Sequence, residues 1–377
     1  PVLISLALFA CAYCLRAAFT GALTHSDKFA AVEAIGLPVV SFAVAYRFAG
    51  SRESFERVAR AMAVAGAILA VIGLGEVVFG FELATRSGGV VFLDQLSGNT
   101  VRISGPYATP EVFGLILVIC LCATLYVALT HNGHVRQLAA LAAVLEVTSI
   151  GYTLFRTFWA CAVLAVILVV GIRRRRPGRA LATLMSVVVV ILLLYAFIGN
   201  STVISSRLGN TQNITGRFDV YELAGQIFER SPIVGVGFDQ FTVAEQQLPL
   251  STALIDAEGV KFPHNSYTDV LAEDGLLGFV PLVALTFAVG WLIRRLRRRA
   301  VTREEQVFAA VVLAAAVTYF LTSMTLEMLP YGDPNAFLAI LLGAGAGRLE
   351  HFARSGSSLV HPSERPSEPV ASGASWK

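Results

Sequence analysis

The chain predicts an all-α polytopic membrane protein, and three observations carry that fold class. Of its 377 residues 55% are hydrophobic and only 15% are charged, where soluble domains carry about 25% charge. Mean hydropathy is +0.68. The apolar residues come in blocks of about 17 to 25, the length a helix needs to cross a bilayer.

Hydropathy predicts about ten transmembrane helices in this fragment, at 1–19, 29–47, 58–79, 111–130, 136–151, 156–172, 180–199, 270–293, 306–328 and 335–350. Arginine clusters in three short loops orient them. These are Arg47, Arg52, Arg57 and Arg60; the run 173–179; and Arg294, Arg295, Arg297, Arg298, Arg299 and Arg303. Placing all three in the cytoplasm satisfies the positive-inside rule with an even number of spans between them. The segments 20–28, 80–110, 200–269 and 329–334 are then outside and the C-terminus inside. The expected organisation is one transmembrane domain, 1–350, with a large extracytoplasmic loop at about 200–269. The tail 351–377 is rich in Ser, Pro and Glu and reads as a disordered cytoplasmic segment. The chain starts at Pro1 and is apolar at once, so it reads as a fragment lacking earlier helices.

All five cysteines (Cys11, Cys14, Cys120, Cys122, Cys161) lie in apolar blocks, which favours packing over a metal or redox role for Cys11-x-x-Cys14. No cluster has zinc spacing and no Gly-rich phosphate loop occurs, so no metal and no cofactor are expected. Asp256-Ala-Glu258 could ligate a cation, but such a pair is common in polar loops.

The long loop is structured. In the stretch from Arg217 to Arg230, Phe218, Tyr221, Ala224 and Phe228 recur near helical spacing, and Ser231-Pro232 stops the run. This predicts an amphipathic helix against the outer membrane face. Pro232-Ile-Val-Gly-Val-Gly237 then makes a turn open to positive φ. The loop ends at Lys261-Phe-Pro-His-Asn-Ser-Tyr267, where polar chain meets the next span. His264 is the side chain whose ordinary pKa lies near neutrality, so it can take and give a proton. Its bland alternative is a surface loop histidine.

Arginines on the outer side run against the charge bias. Arg156 opens a span in Gly151-Tyr-Thr-Leu-Phe-Arg-Thr-Phe-Trp159, where it is either a site residue or a snorkelling anchor beside Trp159. Arg217 precedes the loop helix and is either a solvated charge or a binder of phosphate oxygens. Two or three such arginines converging would hold a lipid diphosphate. Glu146 and Glu327 are either site residues or partners for a buried arginine, the partner role being favoured, and Glu111 reads as a carboxylate at a helix N-terminus.

From about 140 to 285 the chain resembles the O-antigen ligase and O-antigen polymerase superfamily of membrane glycosyltransferases. The resemblance rests on Arg156 at a span turn, Gly216-Arg217, Pro232 to Gly237, His264-Asn-x-Tyr267 and Glu273-x-Gly-Leu-Leu-Gly278, with Arg102-x-x-Gly105 and Pro110 upstream. Phe155-Arg156 departs from the family's Ser-Arg. The resemblance implies transfer of a glycan from undecaprenyl diphosphate to a hydroxyl of a glycan or glycolipid acceptor. The site would lie on the outer side of a bacterial inner membrane, and the reaction would be inverting and metal-independent. It casts His264 as general base and Arg156 and Arg217 as stabilisers of the leaving diphosphate. Arg102, Asn265, Tyr267 and Glu273 would bind substrate, Asn265 also orienting the base and Glu273 also pairing with an arginine or with protonated His264. Membrane lipids are expected partners and nucleic acid is not. The rival readings are a small-anion transporter and a non-catalytic scaffold of an envelope-assembly complex.

Overall fold

A computed structural model describes residues 2–20, 24–80, 102–107, 109–171, 212–248 and 263–357. The expected span 180–199, the arginine run 173–179, the Asp256-Ala-Glu258 pair and residues 358–377 of the tail lie outside them. The helices, in order, are α1 (Val2–Phe19), α2 (His25–Phe48), α3 (Arg52–Phe79), α4 (Pro110–Thr130), α5 (Gly133–Tyr152), α6 (Arg156–Gly171), α7 (Gln212–Arg230), α8 (Phe241–Glu245), α9 (Ser266–Glu273), α10 (Gly275–Arg299), α11 (Arg303–Ser323) and α12 (Gly332–Ser357). No strand occurs among the described residues.

Six of these helices (α1 to α4, α10 and α11) are long and apolar enough to cross a membrane. The expected spans 136–151, 156–172 and 335–350 are helical too, as α5, α6 and α12, but α6 has only 16 residues. Local signals set the ends. Ser51 caps α3 through Ser54 N–H, and Gly80 ends it at φ 65°. Thr109 caps α4, with Pro110 in the first turn, where a missing N–H costs nothing. Thr302 and Glu305 form a reciprocal capping box on α11.

Helix α4 is the central post. It is apolar on every side and accordingly buried on every side, with Leu115 to Ala123 at 0% exposure. Helices α3, α5, α6 and α11 surround it. Within this core Glu146 takes a hydrogen bond from Thr124 at 2.9 Å, so its partner is a hydroxyl and not the arginine that was expected. Helix α12 packs along α2 through glycine. A Cβ on Gly343 would lie 2.4 Å from Phe42 O, and one on Gly347 2.4 Å from Tyr46 O. Small residues of this kind let helix backbones touch. Polar contacts tie one end of the bundle: the ion pairs Arg52–Glu304 at 2.7 Å and Arg348–Glu305 at 3.4 Å, and His131 Nε2 at 2.7 Å from Glu56.

Two boundaries move. The expected span 270–293 is two helices, because α9 ends at Glu273 and α10 begins at Gly275, which has φ 60°. The expected span 306–328 ends at Ser323, so Glu327 lies in a loop. The loop helix α7 is present and starts earlier than expected, at Gln212. Its buried face is Val220, Leu223, Ala224 and Ile227, packed on Phe241, Leu248 and Ala272, while Phe218 is exposed. The aromatic spacing marked the wrong stripe. The aliphatic i, i+3, i+4, i+7 set is the one that seals the cap.

Candidate active site

Four connections meet at one end of the bundle: 102–107 with 109 before α4, 153–155 between α5 and α6, 263–265 before α9, and 324–331 between α11 and α12. Hydrogen bonds join them in a chain. Ile103 N–H donates to Tyr152 O at 3.4 Å, and the Arg102 guanidinium lies 4.9 Å over the Phe155 ring. The hydroxyls of Thr157 and Thr325 are 3.2 Å apart. Ser266 donates to Leu326 O at 3.2 Å and accepts from Met328 N–H at 2.9 Å. Tyr331 hydrogen-bonds Thr109. Arg102, Arg156 and His264 therefore each lie within two residues of a link in one network.

The loop at 102–107 is held by a carboxylate that sequence reasoning did not single out. Glu76 Oε2 accepts from Ser104 N–H at 3.0 Å and Gly105 N–H at 3.1 Å. Gly105 has φ 55°, and a Cβ there would lie 2.7 Å from the Phe113 ring, so only glycine fits. Burial pulls the Arg102 guanidinium below its ordinary pKa, against the pull of Glu111. Arg156 is the first residue of α6 and is exposed. Arg217 lies in α7, with its side chain outside the described residues.

At the α9 corner His264 is half-buried, with φ 46°. That left-handed backbone is uncommon for a side-chain-bearing residue and often marks a functional site. It turns the chain into the helix that Asn265 caps. Asn265 Oδ1 accepts from Tyr267 N–H at 3.0 Å and Thr268 N–H at 3.4 Å, so its oxygen is occupied by the cap. Tyr267 packs beside Phe9 and Tyr13 and hydrogen-bonds Thr286, and burial pushes its hydroxyl up to about 12. Glu273 grips the turn ahead of α8. Its two oxygens accept from Asp239 N–H at 2.8 Å and Phe241 N–H at 2.9 Å. Those contacts are backbone donors, in place of the arginine or histidine partner that was expected.

The same corner buries further carboxyls. Asp269 is 7% exposed and hydrogen-bonds Glu327. Two carboxyls can share such a bond only if one is protonated. Burial first, then Glu273 and Glu327, drive Asp269 well above the usual range, and burial raises Glu327 too, against its bond to Asp269, so the pair shares a proton. Burial also raises Glu273, against its two backbone bonds. Asp274 is 2% exposed and pushed up to about 7, with Arg16 of α1 pulling the other way. Here Glu327 has a carboxyl partner where an arginine was expected. Among the described residues no three of His, Cys, Asp or Glu are grouped as a metal ion requires.

The corner is locked onto the turn 232–237. Val236 and Gly237 N–H donate to Ala272 and Glu273 O, and Leu276 and Leu277 N–H donate to Pro232 and Ile233 O. Gly235 (φ 66°) and Gly275 (φ 60°) meet face to face, and a Cβ on Gly235 would lie 2.1 Å from Glu273 O. Helix α1 joins from the side, where Thr20 Oγ1 accepts from Phe238 N–H at 3.2 Å.

Residues 138–283 match the protein-family model described as O-antigen ligase. No curated protein matches the chain. Among solved structures, a chain from a study of how a peptidoglycan synthase complex coordinates polymerization and crosslinking is 17% identical. It aligns over 94% of this chain and 97% of its own length, with a TM-score of 0.47. The matched segment runs from α5 through α7, α8 and α9 into α10, and so takes in the turn at Arg156 and the His264 corner. The segment 138–283 that matches the O-antigen ligase model thus lies in an all-helical bundle with six helices long and apolar enough to cross a membrane.

Proposed function

We propose that the protein transfers a glycan from a polyprenyl (undecaprenyl) diphosphate to a hydroxyl of a second glycan or glycolipid, on the extracytoplasmic side of a bacterial inner membrane. The observation that carries the reading is the network Thr157–Thr325 and Ser266–Leu326. It brings the Arg156 turn and the His264 corner, 108 residues apart in sequence, to one loop of 324–331.

In this reading His264 accepts the proton of the acceptor hydroxyl as its oxygen attacks the anomeric carbon. The bond from that carbon to the diphosphate oxygen breaks, and the configuration inverts. Arg156 and Arg217, with Arg102 over the Phe155 ring, take up the charge that builds on the leaving diphosphate. Arginine suits this because its planar fork matches phosphate oxygens. Asn265 contributes through its cap, which fixes the backbone of His264, and through its amide N–H groups, which can reach a sugar hydroxyl. Glu273 holds the loop above. No metal enters any step of this scheme. The domain in this reading extends over 1–350, with 351–377 a cytoplasmic tail.

The test is a purified system with lipid-linked donor and acceptor. His264→Ala and His264→Gln should insert and bind donor yet transfer roughly 10²- to 10⁴-fold more slowly, because neither can take the proton. Near-normal turnover in both would remove His264 from the mechanism.

A further inference from the structure

Away from the active site, α10 and α11 diverge around a cavity of about 610 Å³. Its walls are apolar, with Val289, Gly290 and Ile293 on one side and Leu313, Val317 and Phe320 on the other. Gly290 has open space in front of it, with nothing within 4 Å of a built Cβ. One end is strongly basic, since Arg294, Arg297 and Arg298 line it and are exposed. No described carboxylate pairs with these three, whereas Arg52 and Arg348 at the same end of the bundle are paired with Glu304 and Glu305.

The dimensions match one leaflet. From Arg298 to Thr286 is 12 residues, roughly 18 Å of helix, beside a hydrocarbon half-thickness of about 15 Å. Trp291, 39% exposed, sits between the basic and apolar parts with Arg295 stacked 4.3 Å from its ring, as an interfacial anchor does. An apolar slot one acyl chain deep, capped by arginines with no carboxylate partner among the described residues and marked by an interfacial tryptophan, fits an amphiphile with an anionic head.

We propose that this groove is a binding site for an anionic phospholipid, with its phosphate on Arg294, Arg297 and Arg298 and an acyl chain against Gly290 and Phe320. Basic pockets between membrane helices hold such headgroups. This site is separate from the transfer site and does not depend on its chemistry.

The probe is phosphatidylglycerol against phosphatidylcholine of the same chains, titrated onto delipidated full-length protein and read by native mass spectrometry. Wild type should retain one phosphatidylglycerol selectively. The triple change Arg294→Gln, Arg297→Gln, Arg298→Gln should weaken that retention by roughly a hundredfold, from about fivefold per arginine. The control triple Arg295→Gln, Arg299→Gln, Arg303→Gln removes the same charge outside the groove and should weaken it only a few-fold. Gly290→Leu fills the slot without touching charge and should weaken retention of both lipids. If the groove triple does not fold, the single change Arg297→Gln supplies the same reading at about fivefold. Equal loss in the two triples would reduce the site to diffuse surface charge and overturn the proposal. Unchanged retention in Gly290→Leu would overturn it too, as expected if another protein segment or a second copy fills the slot.

Discussion

Along the seam between α2 and α12, Gly343 and Gly347 lie against backbone oxygens, and the Tyr46 hydroxyl donates to Glu350 near one end. At the α9 corner, a few helical turns of chain bury Asp269, Glu273 and Asp274 beside Glu327, and each carboxyl has a partner or a raised proton affinity. The seam is specified mainly by volume, with one side-chain hydrogen bond, Tyr46 to Glu350, toward its end. The corner is specified by hydrogen-bond count and proton occupancy. A membrane bundle gains little from polar groups unless they do something, because each costs solvation. The concentration of carboxyls at the α9 corner therefore sets it apart from the seam and suits it to the proposed site.

The largest effect should come from changes that reach only one of the two regions. His264→Ala should lose two to four orders of magnitude in transfer with the melting temperature unchanged. Gly343→Leu should do the reverse: it forces a side chain into Phe42 O, should cost about 3 kcal/mol of stability, and should leave per-molecule turnover of the surviving fraction intact. If Gly343→Leu lowers turnover and His264→Ala lowers the melting temperature, the division fails.

Glu273 tests whether the corner is structural as well as chemical. In Glu273→Gln one acceptor oxygen becomes an NH₂ facing the Asp239 or Phe241 amide. The unsatisfied donor should cost roughly 1 to 3 kcal/mol in thermal or denaturant unfolding. Full stability in that variant would mean that the turn 232–241 is held by Gly235 and Gly275 alone.

The smallest effect is a slope. Asp274 titrates near 3.8 when unfolded and about 7 when folded, so the native state binds the extra proton between those values. Stability should therefore fall as pH rises from about 4 to 7 and level off above. Asp274→Asn should flatten that decline by roughly 2 to 3 kcal/mol between pH 5 and 7. Asp269, Glu273 and Glu327, raised in the same direction, should leave a residual slope. An unaltered melting profile across that range would show that Arg16 neutralises Asp274 already.

Much of the bundle was legible because bilayer-length apolar runs have one solution, and α1, α4 and α6 fall within two residues of their expected bounds. The His264 corner was legible because Pro263 and Asn265 are local stop and start signals. Glu327 was misplaced because Leu326, Met328 and Leu329 continue the apolar run past Ser323. Those residues are buried by contacts and not by lipid. Glu76 was missed since its partners Ser104 and Gly105 lie 28 and 29 residues away and nothing near it in sequence announces them. Sequence order likewise hides that α7 spends its aliphatic stripe on α8 and α9.

The contact between Gly235 and Gly275 bears on motion. Four backbone bonds and two glycines facing one another leave no side chain that could swing to loosen the joint. Helices α7, α8 and α9 are consequently tied to one another and to the start of α10, so this corner should move as one unit. Hydrogen exchange can read this: the amides of Val236, Gly237, Leu276 and Leu277 should open together, as one cooperative unit and at a single rate.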